Sequence, residues 1–239
     1  MSLIYINPYS FAGIVTGGLV LNLDAGNTAS YPGSGPTWTD LSGNGNNGTL
    51  NDGASFDTTM EASILFDGDN DGVSTGKSFF STPNEFSVSI WFRPKGIKSG
   101  IQILIHEGDG GNGLGSNNEF HMHYENDGTI RAWMTGGISF SSSSGLVPTN
   151  KFSQATYVVT GLSGTATATL YLNASSVGSD SGTITRSGYG NTLIGRPPSL
   201  APTTRSYEGN IAQVLIYNRA LTAAEVTQNF NALRGRYGL

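Results

Sequence analysis

A chain of 239 residues with only 12% charged side chains, net charge −5 and 34 glycines must meet water through hydroxyls and amides, since an ordinary globular domain is about 25% charged. The scattered Lys and Arg leave no basic footprint for nucleic acid, and no apolar tract is long enough to cross a membrane as a helix. The absence of cysteine excludes disulfides, thiolate metal sites and cysteine nucleophiles.

In chain order, residues 1–17 form an apolar arm carrying Tyr5, Tyr9 and Phe11. It reads either as an extra edge strand on its own domain or as an arm that docks on a neighbouring subunit. It has no positive leading segment, and Asn7 and Pro8 break its apolar run, so it does not read as a secretory signal. With no linker in sight, residues 18–239 are taken as one domain. LVLNLD opens it as a strand, and residues 25–51 are a long loop of turn formers, YPGSGPTW and LSGNGNNG. A short strand at 63–66 enters FDGDNDGV. There Asp67, Asp69 and Asp71 begin like a calcium-binding EF-hand loop, but Ser78 stands where a bidentate Glu belongs and a strand precedes it. A tight turn and a calcium site both remain open.

Residues 86–93 alternate cleanly: Phe86, Val88, Ile90 and Phe92 should face a core, with Ser87, Ser89, Trp91 and Arg93 outward. Further strands are expected at 101–107, 119–125, 129–134, 155–160, 167–173, 192–196 and 209–217, with no helix between them. The last feeds a helix with Thr222 as N-cap, Glu225 completing a capping box, Leu221 stapling Val226, an apolar stripe of Val226, Phe230 and Leu233, and Gly235 as a stop. The expected class is all-β: a two-sheet antiparallel jelly-roll sandwich with one short C-terminal helix.

One strand suggests a binding face. If Phe120, Met122 and Tyr124 face the core with Ile101, Ile103 and Ile105, then His106, His121 and His123 share the other side. A turn over 126–128, with Gly128 left-handed, keeps the next strand in phase and adds Arg131 and Trp133. The loop 108–118, with Asn117 and Asn118, borders this face as a recognition loop or a plain connector. An aromatic ring among hydrogen-bonding groups suits the face of a sugar. A solvated or inter-subunit surface is the alternative, and His121 with His123, two apart on a strand, could also hold a metal.

LSGNGNNGTL, ILFDGDNDGV, FSVSIWFRP, ATYVVT, TLYLN, TLIG and GNIAQVLIYNRALTAAEV together resemble the concanavalin A-like lectin/glucanase superfamily, in its laminin-G-like branch, from about residue 18 to 233. The opening GLVLNLDAGNTASYPGSGPTWTDLSGNGNNGTL is further similar to lectin-like domains of tailed-phage virion proteins, cyanophages in particular. The resemblance implies a jelly roll that often binds glycans or proteins, often with calcium, but the fold alone does not fix a function. Glucanases of the superfamily carry acids two apart on a strand. Here the nearest pair is Glu119 and Glu125, separated by about 20 Å against the roughly 5–10 Å of glycosidase pairs, with His121 and His123 between. No nucleophile-elbow motif is present, so no catalysis is expected. The expected role is a non-enzymatic virion structural or decoration protein, assembled in the host cytosol and released by lysis, contacting other virion proteins as a homo-oligomer. The alternative is a glycan-binding receptor-recognition domain of a phage tail or fibre. Neither nucleic acid nor membrane is expected as a partner, and calcium is the one cofactor left open.

Overall fold

The computed structural model describes residues 13–96, 98, 100–108, 119–135, 137–184, 190–198 and 205–239. Tyr5, Tyr9 and Phe11 of the arm, and Asn117 and Asn118 of the loop, lie outside them. The strands are β1 (Leu19–Asp24), β2 (Thr37–Trp38), β3 (Gly48–Asn51), β4 (Ser55–Asp57), β5 (Ser63–Asp67), β6 (Gly72–Ser74), β7 (Phe86–Pro94) and β8 (Ile101–Gly108). They continue as β9 (Glu119–Glu125), β10 (Ile130–Met134), β11 (Ile138–Ser141), β12 (Ser153–Thr160), β13 (Thr165–Leu172), β14 (Ser175–Thr183), β15 (Thr192–Ile194) and β16 (Glu208–Tyr217), followed by helix α1 (Ala223–Leu233).

These strands build two antiparallel sheets. One runs β14-β13-β12-β7-β16-β5-β4, with β1 also paired to β16; the other runs β11-β10-β9-β8-β15-β6-β3-β2. Alternation puts Phe86, Val88, Ile90 and Phe92 of β7 and Ala155, Tyr157 and Val159 of β12 against Phe120, Met122 and Tyr124 of β9, all of them sealed in one core. At its centre the rings of Phe80, Phe86 and Phe120 meet with centroids 4.6–5.4 Å apart. The all-β sandwich with a single C-terminal helix is the architecture the sequence leads one to expect.

The outer face of the first sheet departs from expectation. Ser87, Ser89 and Trp91, which alternation assigns to the solvent side, are 0–2% exposed, because α1 and the turn after it lie across that side. Phe230 stacks on Trp91 at 5.5 Å and 13°, and Tyr237 lies 4.4 Å from the same ring; sealing an aromatic of this size contributes about 1.5–3 kcal/mol. Thr222 Oγ1 accepts from Glu225 N while Glu225 Oε2 accepts from Thr222 N, so the capping box forms. Gly235 is not the stop: the chain passes into a 3-10 turn at Arg234–Tyr237, and the left-handed residue that ends it is Gly238. Residues 13–17 run beside this helix, where Val15 is buried and its N–H donates to Asn229 Oδ1 at 2.8 Å.

β14 lies in a Ser/Gly stretch with no apolar alternation and reads from sequence as a loop. Its pairing with β13 makes it a strand. An added Cβ at Gly178 would fall 1.9 Å from the Phe140 ring, so a glycine there lets β11 of the second sheet close over β14 of the first. Asp180 Oδ2 accepts from Ser139 N at the same edge.

Candidate recognition face

β8, β9 and β10 bring the expected residues together. His106 pairs with His121, His121 with Trp133 and His123 with Arg131 across the ladders, so all five share one side of the second sheet. Two core assignments are corrected. A bulge between Ile103 and Ile105 turns Leu104 and Ile105 inward and leaves Ile101 opposite Glu125 and Ile103 opposite His123, both on the histidine side.

The histidines are not open surface, however. His106, His121 and His123 are only 2%, 4% and 3% exposed, since they pack ring against ring: His106 and His121 are stacked at 6.4 Å, His121 and His123 lie 5.0 Å apart, and Trp133 stacks on His121 at 5.2 Å and 19°. They are therefore corrected from ligand-contacting residues to the buried support of the face. What remains half-exposed is Trp133, its neighbour Arg131, and Ser139. Arg131 is held in place by Ser139 Oγ, to which its Nε and Nη2 donate at 3.0 and 2.8 Å, and by Glu125 at 3.6 Å. A fixed indole beside a fixed guanidinium can offer a flat apolar plate and a fork of donors to one ligand.

The strip beneath is electrostatically closed. Glu119 Oε1 accepts from His106 Nε2 at 2.9 Å and from His121 Nδ1 at 3.2 Å. Burial works to raise the Glu119 carboxyl, but the hydrogen bonds and charge of the two imidazoles outweigh it and bring it down to about 2. Burial pushes His121 down to about 4, against the pull of Glu119, so its ring is neutral at pH 7 and donates an N–H to a carboxylate. His123 is likewise lowered by burial, and donates to Glu125, whose carboxyl is lowered first by that bond. Glu119 and Glu125 are the residues that sequence reasoning weighed only as a catalytic pair. Their place was legible, because residues two apart on a strand share a side with His121 and His123.

Among the described residues no group of three or more His, Asp or Glu side chains is arranged to hold a metal ion. The nitrogens of His121 and His123 nearest the acids are engaged by Glu119 and Glu125. In the acidic turn, Asp67 Oδ1 accepts from Asp69 N and Asp71 Oδ2 from Asp67 N, at 2.8 and 2.9 Å. Asp67 and Asp69 are exposed while Asp71 is 2% exposed, so the carboxylates of Asp67 and Asp71 each accept a backbone N–H of the turn.

A two-layer antiparallel sandwich with this strand–helix closure defines a lectin-like jelly roll. The chain belongs to the concanavalin A-like lectin/glucanases superfamily, whose Laminin_G_3 family matches residues 67–227. No curated protein matches it. Among solved structures it is similar to Trypanosoma rangeli sialidase in complex with sialic acid (15% identity, TM-score 0.69), with 92% of this chain covered but only 33% of the sialidase. It is also similar to domain 4 of AbnA, a GH43 extracellular arabinanase from Geobacillus stearothermophilus, in complex with arabinotriose (16% identity, TM-score 0.62, 88% of this chain and 97% of that one). A third is the binding domain of Paraclostridial Mosquitocidal Protein 1 (19% identity, TM-score 0.64, 90% and 52%). At such identities the likeness is one of fold.

Proposed function

We propose that this chain is a non-enzymatic recognition module of a tailed-phage virion that binds glycans through the half-exposed Trp133 and Arg131. The carrying observation is the fixed Trp133 ring, stacked on His121 and flanked by an Arg131 clamped to Ser139. A sugar needs both a plate for its C–H face and oriented donors for its hydroxyls. The acids beside it, Glu119 and Glu125, are tied to histidines and stand six residues apart on β9, a spacing that does not suit this pair to the cleavage of a glycosidic bond. The lectin-like relatives in complexes with saccharides support a binding role, and the resemblance of the opening segment to phage proteins supports the setting.

A second reading keeps the setting and replaces the ligand: a decoration protein whose same face meets another virion protein, since exposed Trp and Arg also mark protein interfaces. A glycan array followed by titration calorimetry separates the two. Binding that falls at least about tenfold in Trp133→Ala, with the glycan recovered uncleaved, is the expected result. No glycan binding, together with loss of self-association or particle incorporation in the same variant, transfers the face to the protein-contact reading. Released sugar would overturn the non-enzymatic assignment.

A further inference from the structure

A second opening lies elsewhere on the molecule, made from none of the residues of the Trp133 face. A cleft of about 490 Å³ sits between the 40–47 loop, the 77–83 segment and Asn218, within the roughly 300–1,000 Å³ range of small-molecule sites. Asn44, Asn46, Asn218, Lys77, Ser78 and Phe79 line it, and Lys77 is the one charged side chain among its lining residues.

Both walls are built on buried carboxylates. Asp40, 7% exposed, holds the first: its Oδ1 accepts from Asn22 N and Ser42 N at 2.9 and 2.8 Å, and its Oδ2 from Ser42 Oγ and Asn46 N at 2.7 and 3.0 Å. Glu107, fully buried, holds the second, accepting from Phe79 N, Phe80 N and Ser78 Oγ at 2.6–3.0 Å and also from Thr192 Oγ1. Surface loops of Gly, Asn and Ser do not need such anchoring to connect strands. The anchoring fixes what the loops present, as recognition requires.

What they present is specific. Asn44 Nδ2 donates to Leu19 O and Ser42 Oγ, and Asn46 Nδ2 donates to Val20 O, which orients both amides and leaves their oxygens as acceptors for hydroxyl groups. Phe79 is half-buried, a ring edge for an apolar sugar face. Lys77 is exposed and makes no ion pair among the described residues. The carboxylates behind the walls are occupied by the N–H and O–H groups they hold, which leaves Lys77 as the charge that the lining itself offers, a cation for a negatively charged group.

We propose that this cleft binds a carboxylate-bearing saccharide, a uronic or sialic acid residue of a longer glycan, with Lys77 on the carboxylate, Asn44 and Asn46 on hydroxyls and Phe79 against the ring. The test is an ¹⁵N-resolved NMR titration of the full chain with oligogalacturonate and with sialyllactose, each beside its neutral counterpart. The expected result is saturable shifts centred on residues 42–47 and 77–80, absent with the neutral sugars. Lys77→Gln should weaken binding at least about tenfold while Lys77→Arg retains it, as a charge-assisted contact implies. Lys77 is exposed, so neither substitution threatens the fold. Trp133→Ala should leave this binding unchanged, so that failure here and failure of the Trp133 face are read separately. Shifts centred on Trp133, equal affinity for neutral sugars, no saturable binding of either acid, or Lys77→Gln binding like the parent would each overturn the assignment.

Discussion

Glu107 and Glu119 are two glutamates sealed in the same sheet, 0% and 1% exposed, and their carboxyls move in opposite directions. Burial raises Glu107, and four hydrogen-bond donors from neutral groups do not undo it. Burial acts on Glu119 too, yet two imidazoles bring it down to about 2. The difference lies in the partners. Backbone amides and hydroxyls satisfy a carboxylate's lone pairs but carry no charge, whereas a histidine ring can become an imidazolium once the pH falls far enough. Glu107 therefore serves as a rigid anchor for a loop. Glu119 belongs to a strip whose protonation changes with pH.

The largest effect should come from breaking the anchor. Glu107→Leu strands the N–H groups of Phe79 and Phe80, of which Phe80 is fully buried, and should cost about 3–5 kcal/mol by denaturant titration. Hydrogen exchange should show faster exchange around residues 77–80 in particular. A loss under about 1 kcal/mol would mean that the loop is held by its apolar contacts and not by the carboxylate.

Acid sharpens the contrast. Folded His121 stays neutral down to about 4, while the unfolded chain takes up a proton below the ordinary value of 6.5. The unfolded state binds more protons in that window, so stability is complete above pH 6.5 and falls as the pH drops to 4, by about 2–3 kcal/mol. Glu119 continues the trend below its ordinary value of 4.5, down to about 2. Glu107 acts with the opposite sign, because a carboxyl raised by burial is relieved by acid. A urea-midpoint profile from pH 7 to 4 should slope downward on acidification and become shallower in His121→Gln, with His123, also lowered by burial, keeping part of the slope. An upward slope would put Glu107 ahead of His121.

The smallest effect belongs to a surface carboxylate with similar chemistry. Glu225 is lowered to about 2 by Arg219 first and the Thr222 N–H next, and it lies half-buried at the surface, where such pairs contribute little. Thr222→Ala removes the cap and should lower stability by about 1 kcal/mol, seen in thermal melting. The loss should barely change between pH 7 and 5, unlike the His121 effect.

Much of this was legible along the chain. Period-two alternation in β7 and β9 placed the core side of each strand, and it grouped His121, His123, Arg131 and Trp133 on one side from the sequence alone. The capping box was equally local, written in Thr222 and Glu225. The glycine-rich stretches were harder: β14, with its Ser and Gly, forms a strand only because β13 supplies a partner ladder and Phe140 a cover.

Sequence by itself determined which side chains share a face wherever a strand runs without a bulge, because strand geometry repeats every two residues and needs no other part of the chain. It could not determine whether a face is covered. Trp91 is sealed by a helix 139 positions further on, at Phe230, Ile103 is put on the histidine side by a bulge set through pairing with β9, and the histidines of β8 and β9 are packed against one another and against Trp133 of β10. Phe79 and Asn44 came to line one cleft only because Glu107 and Asp40 pin their loops at the same opening. Alternation is a property of the local backbone, whereas coverage depends on what distant segments bring, and only the tertiary structure decides that.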